Sequence, residues 1–485
     1  MKKHLKYIIS LGAGLMLFST SCKRELLSPI PQTSVTDATA FDTPGRIANQ
    51  VNSLYAAFKS GAFYGGRAQI AGDIRGEDFL NETTNGVTGF DVWLLNATGT
   101  SQNFVKNMWA QAYYVINLTN LFIDGMNAKG TTVVGDALSK NYVAEARLLR
   151  AASYLKLLEH YARPYADGAG SRPGLPLRLT GIKGSGFSPM ARSTVAEVYA
   201  QILSDLNYAE ANLPLNYATA ALNTTRAHRN TAIALKTRVY LAMQDYGNVI
   251  TEGNKIAPQA TAPFSATSGV AHALAPDIVT VFRAPYTHVE SILSMPMTST
   301  AGDNPGTQNQ LGFYWSRTTG GGEFSLNPSG IVGNTGWTAG DRRRTFNAVI
   351  SGKTWLNTKF NTPSPYTDWA PVIRYSEVLL NLAEALARND AGINAKAVAL
   401  LNAVRQRSDA STVIVPATKT DLINAILTER RIEFLGEGLR NFDLMRLLQT
   451  IPAKGSAPAK APGDGGYIWP ISADEMSLNP LMVDN

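Results

Sequence analysis

The sequence predicts a mostly α-helical fold: an array of antiparallel helical hairpins carrying a loop-rich insert with short strands. Three observations predict it. Long segments repeat apolar residues at i, i+3, i+4 and i+7, the period of one helix face. These segments come in pairs joined by short turns, the layout of stacked helical hairpins. Residues 258–371 break the pattern with twelve Gly and ten Pro in 114 residues, a density that long helices do not tolerate.

Each element has its own signal. Thr43-Pro44 reads as an N-cap with proline at the first helical position, ahead of Ile47, Val51, Leu54, Tyr55 and Phe58 on one face. A second helix is expected over 104–126, with Met108, Ala112, Val115 and Ile116 inward. A third runs over 140–161, where Ala144, Leu148, Ala151, Leu155 and Leu158 form a heptad-like stripe. The fourth, 194–213, opens on Ser193-Thr194-Val195-Ala196-Glu197, a capping-box sequence. Helices over 229–243 and 246–256 make another pair. Beyond the insert, 373–388, 393–407, 421–435 and 439–448 are helical. The layout resembles tetratricopeptide-like repeats, without a strict 34-residue repeat. Within 258–371, strands are expected at 277–282 and 291–295, and four of the seven Trp fall there. Residues 73–100, with Trp93, form a second and smaller insert. Irregular segments on a rigid scaffold are where binding residues concentrate.

Composition narrows the function. The 485 residues carry a formal charge of +7, but Lys and Arg are scattered, and the densest run is Arg342-Arg343-Arg344. A nucleic-acid footprint needs a clustered stripe, so that partner is excluded. The single cysteine, Cys22, rules out intrachain disulfides and multi-cysteine zinc sites. Lys2, Lys3 and Lys6 precede a mostly apolar stretch over 7–18, and Ser19-Thr20-Ser21 lead into Cys22. Twelve helical residues rise only ~18 Å, short of a ~30 Å hydrocarbon core. Residues 1–21 therefore read as an export signal, and Cys22 as a lipid attachment point rather than a leftover thiol. Removing the leader's three lysines takes the formal charge from +7 to +4. This segment resembles a bacterial lipoprotein signal, in which cleavage before the cysteine is followed by acylation. Ser19 stands where that motif prefers leucine, a looseness found in Bacteroidetes. Two or three acyl chains, at ~0.8 kcal/mol per buried methylene, hold a protein at a membrane where one does not.

Catalytic signatures are missing. No HExxH, GxSxG or GxxxxGK[ST] occurs. His160, at a helix end, reads as a packing residue. His228 reads as part of a solvated basic face. His272 and His288 fall in the insert, without metal-ligand spacing. Glu77-Asp78 reads as a polar turn, since glycosidase carboxyls must face each other across a sugar.

The C-terminal part holds the most distinctive stretch. Thr428-Glu429-Arg430-Arg431-Ile432-Glu433-Phe434 runs into Gly436-Glu437-Gly438-Leu439-Arg440-Asn441-Phe442-Asp443-Leu444-Met445-Arg446. Arg430–Glu433, Glu437–Arg440 and Asp443–Arg446 are three apart, so ion pairs within one helical hairpin are expected. Other pieces accompany it in order: Trp109 to Asn120; Ala146-Arg147-Leu148-Leu149-Arg150-Ala151 with Tyr154; Arg192 to Tyr199 with Asp205-Leu206; Gly340-Asp341-Arg342-Arg343; Val372 to Asn381; Leu401 to Arg405; and Ile468-Trp469-Pro470-Ile471 with Asn479-Pro480. Together they resemble the RagB/SusD family of Bacteroidetes outer-membrane lipoproteins, over nearly the whole chain. The ending Val483-Asp484-Asn485 and the basic Lys23-Arg24 after the cysteine depart from it.

The resemblance implies a SusD-like fold with a lipoprotein signal at 1–21, a lipidated tether at 22–40, a helical region at 41–257, a ligand-binding insert at 258–371 and a C-terminal helical region at 372–485. It implies a non-enzymatic protein, lipid-anchored and surface-exposed on the outer membrane; the residues themselves offer no cofactor motif and no metal-ligand set, with bound calcium left open. There it captures oligosaccharides, or peptides in some members, and acts as a lid on a TonB-dependent barrel. The alternatives are a repeat scaffold that binds only protein and a hydrolase of the same compartment. Aromatic rings stack on sugar C–H faces, which makes Trp93, Tyr286, Tyr314, Trp315, Trp337 and Trp355 the candidate platforms. Packing beneath a long loop is the competing role for each. Arg75, Asn81 and Asn96 are the polar candidates. Trp109 and Trp469 are assigned to structure.

Overall fold

The computed structural model describes residues 39–184 and 186–485. The leader, Cys22 and almost all of the tether lie outside the described residues. Helix α1 (Pro44–Phe58) begins where its sequence dictates. The Thr43 hydroxyl accepts from the Arg46 amide at 3.3 Å, and Pro44 sits in a first turn whose amides lack helical acceptors. Its Ile47, Val51, Leu54, Tyr55 and Phe58 are buried, as the periodicity requires. Helix α2 (Arg67–Ile74) and strand β1 (Phe79–Asn81) follow. Next come α3 (Asn107–Gly125), α4 (Asp136–Tyr161) and α5 (Val195–Asn212). The capping box of α5 forms in full: the Glu197 amide donates to the Thr194 hydroxyl at 3.2 Å, and the Thr194 amide donates to the Glu197 carboxylate at 2.7 Å.

Helices α6 (Arg229–Ala242) and α7 (Tyr246–Ile256) close the first half of the array. The insert adds β2 (Ser291–Met295), a short α8 (Leu311–Trp315), β3 (Phe324–Leu326), β4 (Asn347–Ile350), β5 (Lys353–Leu356) and β6 (Ala370–Arg374). Helices α9 (Tyr375–Asn389), α10 (Ala395–Ser408), α11 (Lys419–Glu433), α12 (Arg440–Arg446) and α13 (Ala473–Leu478) complete the chain. Consecutive helices pack as hairpins, α3 on α4, α4 on α5, α6 on α7 and α9 on α10, while α7 on α9 joins the two halves. Among the described residues, no helix is long and apolar enough to cross a membrane.

The strands form three antiparallel pairs: β1 with β3, Phe79 opposite Leu326; β2 with β6, Ser291 opposite Arg374; and β4 with β5, Asn347 opposite Leu356. The first pair stitches the small insert to the large one. The second ties the insert to the start of α9.

Five expectations are corrected. Residues 277–282 are not a strand: Asp277 accepts from the Val279 amide at 3.0 Å and caps a one-turn helix, Ile278–Val281, so a cap outweighs β-branched propensity. Ile373 lies within β6 rather than opening a helix, because pairing with Leu293 of β2 captures it. His228 is buried, not solvated; its ring stacks on His272 with centroids 5.1 Å apart. The charged hairpin reaches outward: of the three i,i+3 pairs, Asp443–Arg446 forms, whereas Arg430 turns to Asp443, Arg440 to Glu77, and Glu433 and Glu437 to the insert and β6. Glu77 and Asp78 are accordingly no solvated turn but buried partners of Arg440 and Arg431.

Candidate functional site

The C-terminal charges explain how the insert is held. Glu433, on α11, sits 2.9 Å from Arg343 and 3.0 Å from Arg374, and also pairs with Arg407. Arg343 reaches Glu429 and Asp341 at 2.6 Å each. Glu437 holds Arg374 and Lys359 at 2.7 Å each. Burial alone would raise the Glu433 carboxyl, but Arg407, Arg374 and Arg343 outweigh it and keep it well below the ordinary carboxylate range. Burial pushes the Lys359 ammonium down, against the pull of Glu437. Such a lattice specifies geometry more than it stabilises. Here it fixes three points of the insert, at Asp341, Arg343 and Lys359. Two glycines let the lattice close: Gly438, at φ +85°, lies so near the Gln69 backbone that a Cβ would meet it at 2.5 Å, and a Cβ on Gly72 would strike the Gly438 carbonyl at 2.0 Å.

Lys359 stands at the base of the segment over 360–369, and that segment carries two of four half-buried aromatics, Tyr366 and Trp369. Tyr286 and Trp369, both half-buried, stack with centroids 5.4 Å apart. Phe313 on α8 and Tyr366, also half-buried, meet edge to face at 5.9 Å. Asp368 ties Tyr286 to the 360–369 segment: it accepts from the Tyr286 hydroxyl at 3.2 Å, from the Thr362 hydroxyl at 2.9 Å and from the Thr362 amide at 2.9 Å. A Cβ on Gly312, next to Phe313, would lie 3.4 Å from Asp368. Burial, then Asp368, push the Tyr286 hydroxyl above its ordinary pKa, so it stays a neutral donor. Tyr286 and Tyr366 both occupy the left-handed region, at φ +61° and +59°. For aromatic residues this is an uncommon conformation that surrounding structure must impose. The rings are therefore held in place rather than trailing from a loose loop.

The sequence candidates divide sharply. Trp315 is fully buried and stacks on Phe79 at 4.3 Å. Tyr314 is fully buried and stacks on Phe324 at 6.1 Å. Trp337 lies under Arg344, 4.5 Å from its guanidinium carbon, and Trp355 is buried beneath Arg317. Trp93 is buried and donates its indole N–H to the Phe79 carbonyl at 2.8 Å. These five rings pack beneath the loops and offer no free face. Arg75 is buried as well: it donates to Asn441 at 3.0 Å and to the Tyr467 carbonyl at 2.6 Å, joining α2 to the C-terminal loop. Asn81 is half-buried and accepts from the Thr84 amide at 2.7 Å, closing a turn. Asn96 is exposed. Tyr286 alone of the six candidate rings lies in the exposed set. Its partners Trp369, Tyr366 and Phe313 carry no signal in the sequence that sets them apart from the buried rings.

A rigid helical array that holds rings and hydroxyls on a loop-built surface is the architecture of a binding protein. The chain belongs to the SusD family. Residues 329–485 match the SusD family model, and residues 28–241 match a model described as starch-binding associating with outer membrane. The chain is 32% identical to a SusD superfamily protein of Bacteroides fragilis, with TM-score 0.81 over 91% of this chain and 99% of that one. It shares the fold of the surface glycan-binding protein A of Bacteroides thetaiotaomicron, solved with laminarihexaose, at 19% identity and TM-score 0.71 over 91% and 98% of the two chains. A SusD-like protein of Formosa agariphila is 33% identical over 132 residues, so the match spans a quarter of that curated relative.

Proposed function

We propose that this protein is a non-enzymatic capture protein for oligosaccharides. It is anchored through acylated Cys22 at the outer face of the outer membrane, where it delivers ligand as a lid to a TonB-dependent barrel. The observation that carries the reading is the Tyr286–Trp369 pair, its hydroxyl held by Asp368, with the Phe313–Tyr366 pair whose Tyr366 lies on the same segment as Trp369. Ring faces match sugar C–H surfaces, and the carboxylate and hydroxyls beside them match sugar hydroxyls. Membership of a family described as starch-binding and outer-membrane-associated supports the ligand class and the compartment.

The test is affinity electrophoresis and calorimetry of the purified protein on laminarihexaose, maltohexaose and a panel of plant and algal glycans. Binding without new reducing ends is expected, and Tyr286→Ala with Trp369→Ala weakens it more than either change alone. Turnover products, or binding only to peptides, would replace the reading. For the anchor, Cys22→Ser releases the protein from the membrane fraction.

A further inference from the structure

A cavity of about 530 Å³ lies away from the insert, between α3 and the C-terminal helix α13. Tyr113 and Asn117 of α3 form its floor. Arg178 and Phe187, from the segment that crosses α3, and Glu475 and Asn479, from the α13 end, form its walls. Its size falls within the ~300–1,000 Å³ of small-ligand sites. Two features set it apart from a packing defect. The Arg178 side chain is 16% exposed and approaches Glu475 at 3.7 Å; among the described residues, none of its five N–H groups donates to a protein acceptor. A guanidinium so enclosed ordinarily finds several partners. Phe187, by contrast, is 75% exposed, a ring offered to solvent beside a lining that also holds Ile182 and Leu478.

Glu475 is fixed in place. Its carboxylate accepts from the Trp109 indole at 3.3 Å and from the Asn479 amide at 2.8 Å, which leaves lone pairs facing Arg178. A cation with unused donors beside an anchored acceptor suits a group that both donates and accepts at adjacent atoms, as two neighbouring sugar hydroxyls do. A simple anion would be repelled by Glu475, and a simple cation by Arg178. A polypeptide partner is favoured by flat apolar surfaces rather than by a concavity of this kind.

We infer that this cavity is a second saccharide subsite, in which Arg178 and Glu475 bracket a pair of hydroxyls and Phe187 stacks on the ring. It is built from the helical array and lies apart from the insert strip, so it stands or falls separately from the site proposed above. Two subsites on one molecule would raise the effective concentration of a long chain at the surface.

Saturation-transfer NMR on the full chain with maltose, laminaribiose and cellobiose tests it. Four proteins are compared: wild type, Tyr286→Ala/Trp369→Ala, Phe187→Ala/Arg178→Ala, and the quadruple variant, each checked for an unchanged melting curve. The strip variant is expected to keep a saccharide signal. Adding Phe187→Ala and Arg178→Ala then lowers it about fivefold or more, the loss of roughly one stacking contact. A signal in the strip variant that survives the cavity substitutions overturns the subsite, as does the absence of any signal from that variant with all three sugars. So does loss of co-purification with a barrel in the cavity variant while its sugar signal is unchanged, because the cavity would then be a protein contact. A strip variant that keeps all binding, lost only with the cavity substitutions, leaves the subsite standing and removes the strip.

Discussion

The insert holds two sets of aromatic rings. Tyr314, Trp315, Trp337 and Trp355 lie inside it, stacked on Phe79 and Phe324 or covered by Arg344 and Arg317. Phe313, Tyr366, Tyr286 and Trp369 lie half outside, as two ring pairs, with Tyr286 held by Asp368. The half-buried set flanks the buried one in sequence, and the boundary is abrupt: Phe313 is half-buried, and Tyr314 and Trp315 next to it are buried. A loop-rich segment of over a hundred residues cannot stand on turns alone. It needs an apolar centre of its own, and its largest rings supply it. What separates a platform from a core residue here is whether the partner across the ring is another loop or solvent.

Substitutions sharpen that contrast. The largest effect is expected from Glu433→Ala, which leaves Arg343, Arg374 and Arg407 buried around a missing charge. Breaking such a cluster costs about 3–5 kcal/mol, read by urea unfolding. Next comes Trp315→Ala, which opens a cavity beside Phe79 and costs about 3–4 kcal/mol. The set division requires that Trp315→Ala lower stability while the surviving folded protein still binds glycan. Loss of binding with unchanged stability would move Trp315 to the other set.

Acid tests the seam between the array and the insert. His228 and His272 stack there, and burial lowers them to about 3 and about 4. Burial, with Lys156 and Arg75, likewise holds His160 well below its ordinary value, against Trp469. Each folded ring stays neutral while the unfolded chain, near pKa 6.5, takes up protons as pH falls. Stability is therefore complete above that value and declines from about pH 7 downward, by about 2 kcal/mol per ring at pH 5. Melts at pH 7 and pH 5 check it, and His272→Phe should flatten the slope by about one proton. A melt that does not move with pH would show that the rings are reached by water.

Smaller still are the effects on the exposed set. Trp369→Ala and Tyr286→Ala are each expected to weaken glycan binding about fivefold to tenfold, the worth of ~1 kcal/mol of stacking. Their cost in stability should stay near the ~0.5 kcal/mol of ordinary surface changes.

The helices were legible because caps and periods are local. Thr43-Pro44, the Thr194–Glu197 box and the α1 apolar face all act within a few residues. The lattice was legible only as a run of alternating charges. Spacing suggested partners three residues away, but Glu433 finds Arg343 and Arg374 instead, 90 and 59 positions earlier. Burial of the insert rings was not legible at all. Trp315 and Trp369 sit in similarly punctuated sequence, and which of them faces water is decided by β1–β3 pairing with a segment more than 200 residues upstream.

The smallest prediction concerns the reach of the strip. Asn81 accepts from the Thr84 amide and so shapes a turn, whereas Asn96 is exposed and makes no side-chain hydrogen bond to protein. Glu323 carries the connection from the first insert: it accepts from the Thr83 and Thr88 hydroxyls, and it lies beside Gly321, whose amide donates to the Phe313 carbonyl. Asn81 thus lies on the strip's side of that connection, and Asn96 beyond it. Asn96→Ala should change stability by less than about 0.5 kcal/mol and binding by less than about twofold. Asn81→Ala, which releases the turn, should cost about 1 kcal/mol and weaken binding in proportion to the order lost. A tenfold loss from Asn96→Ala would place ligand across both inserts, and the exposed set would then be one half of the surface rather than the whole of it.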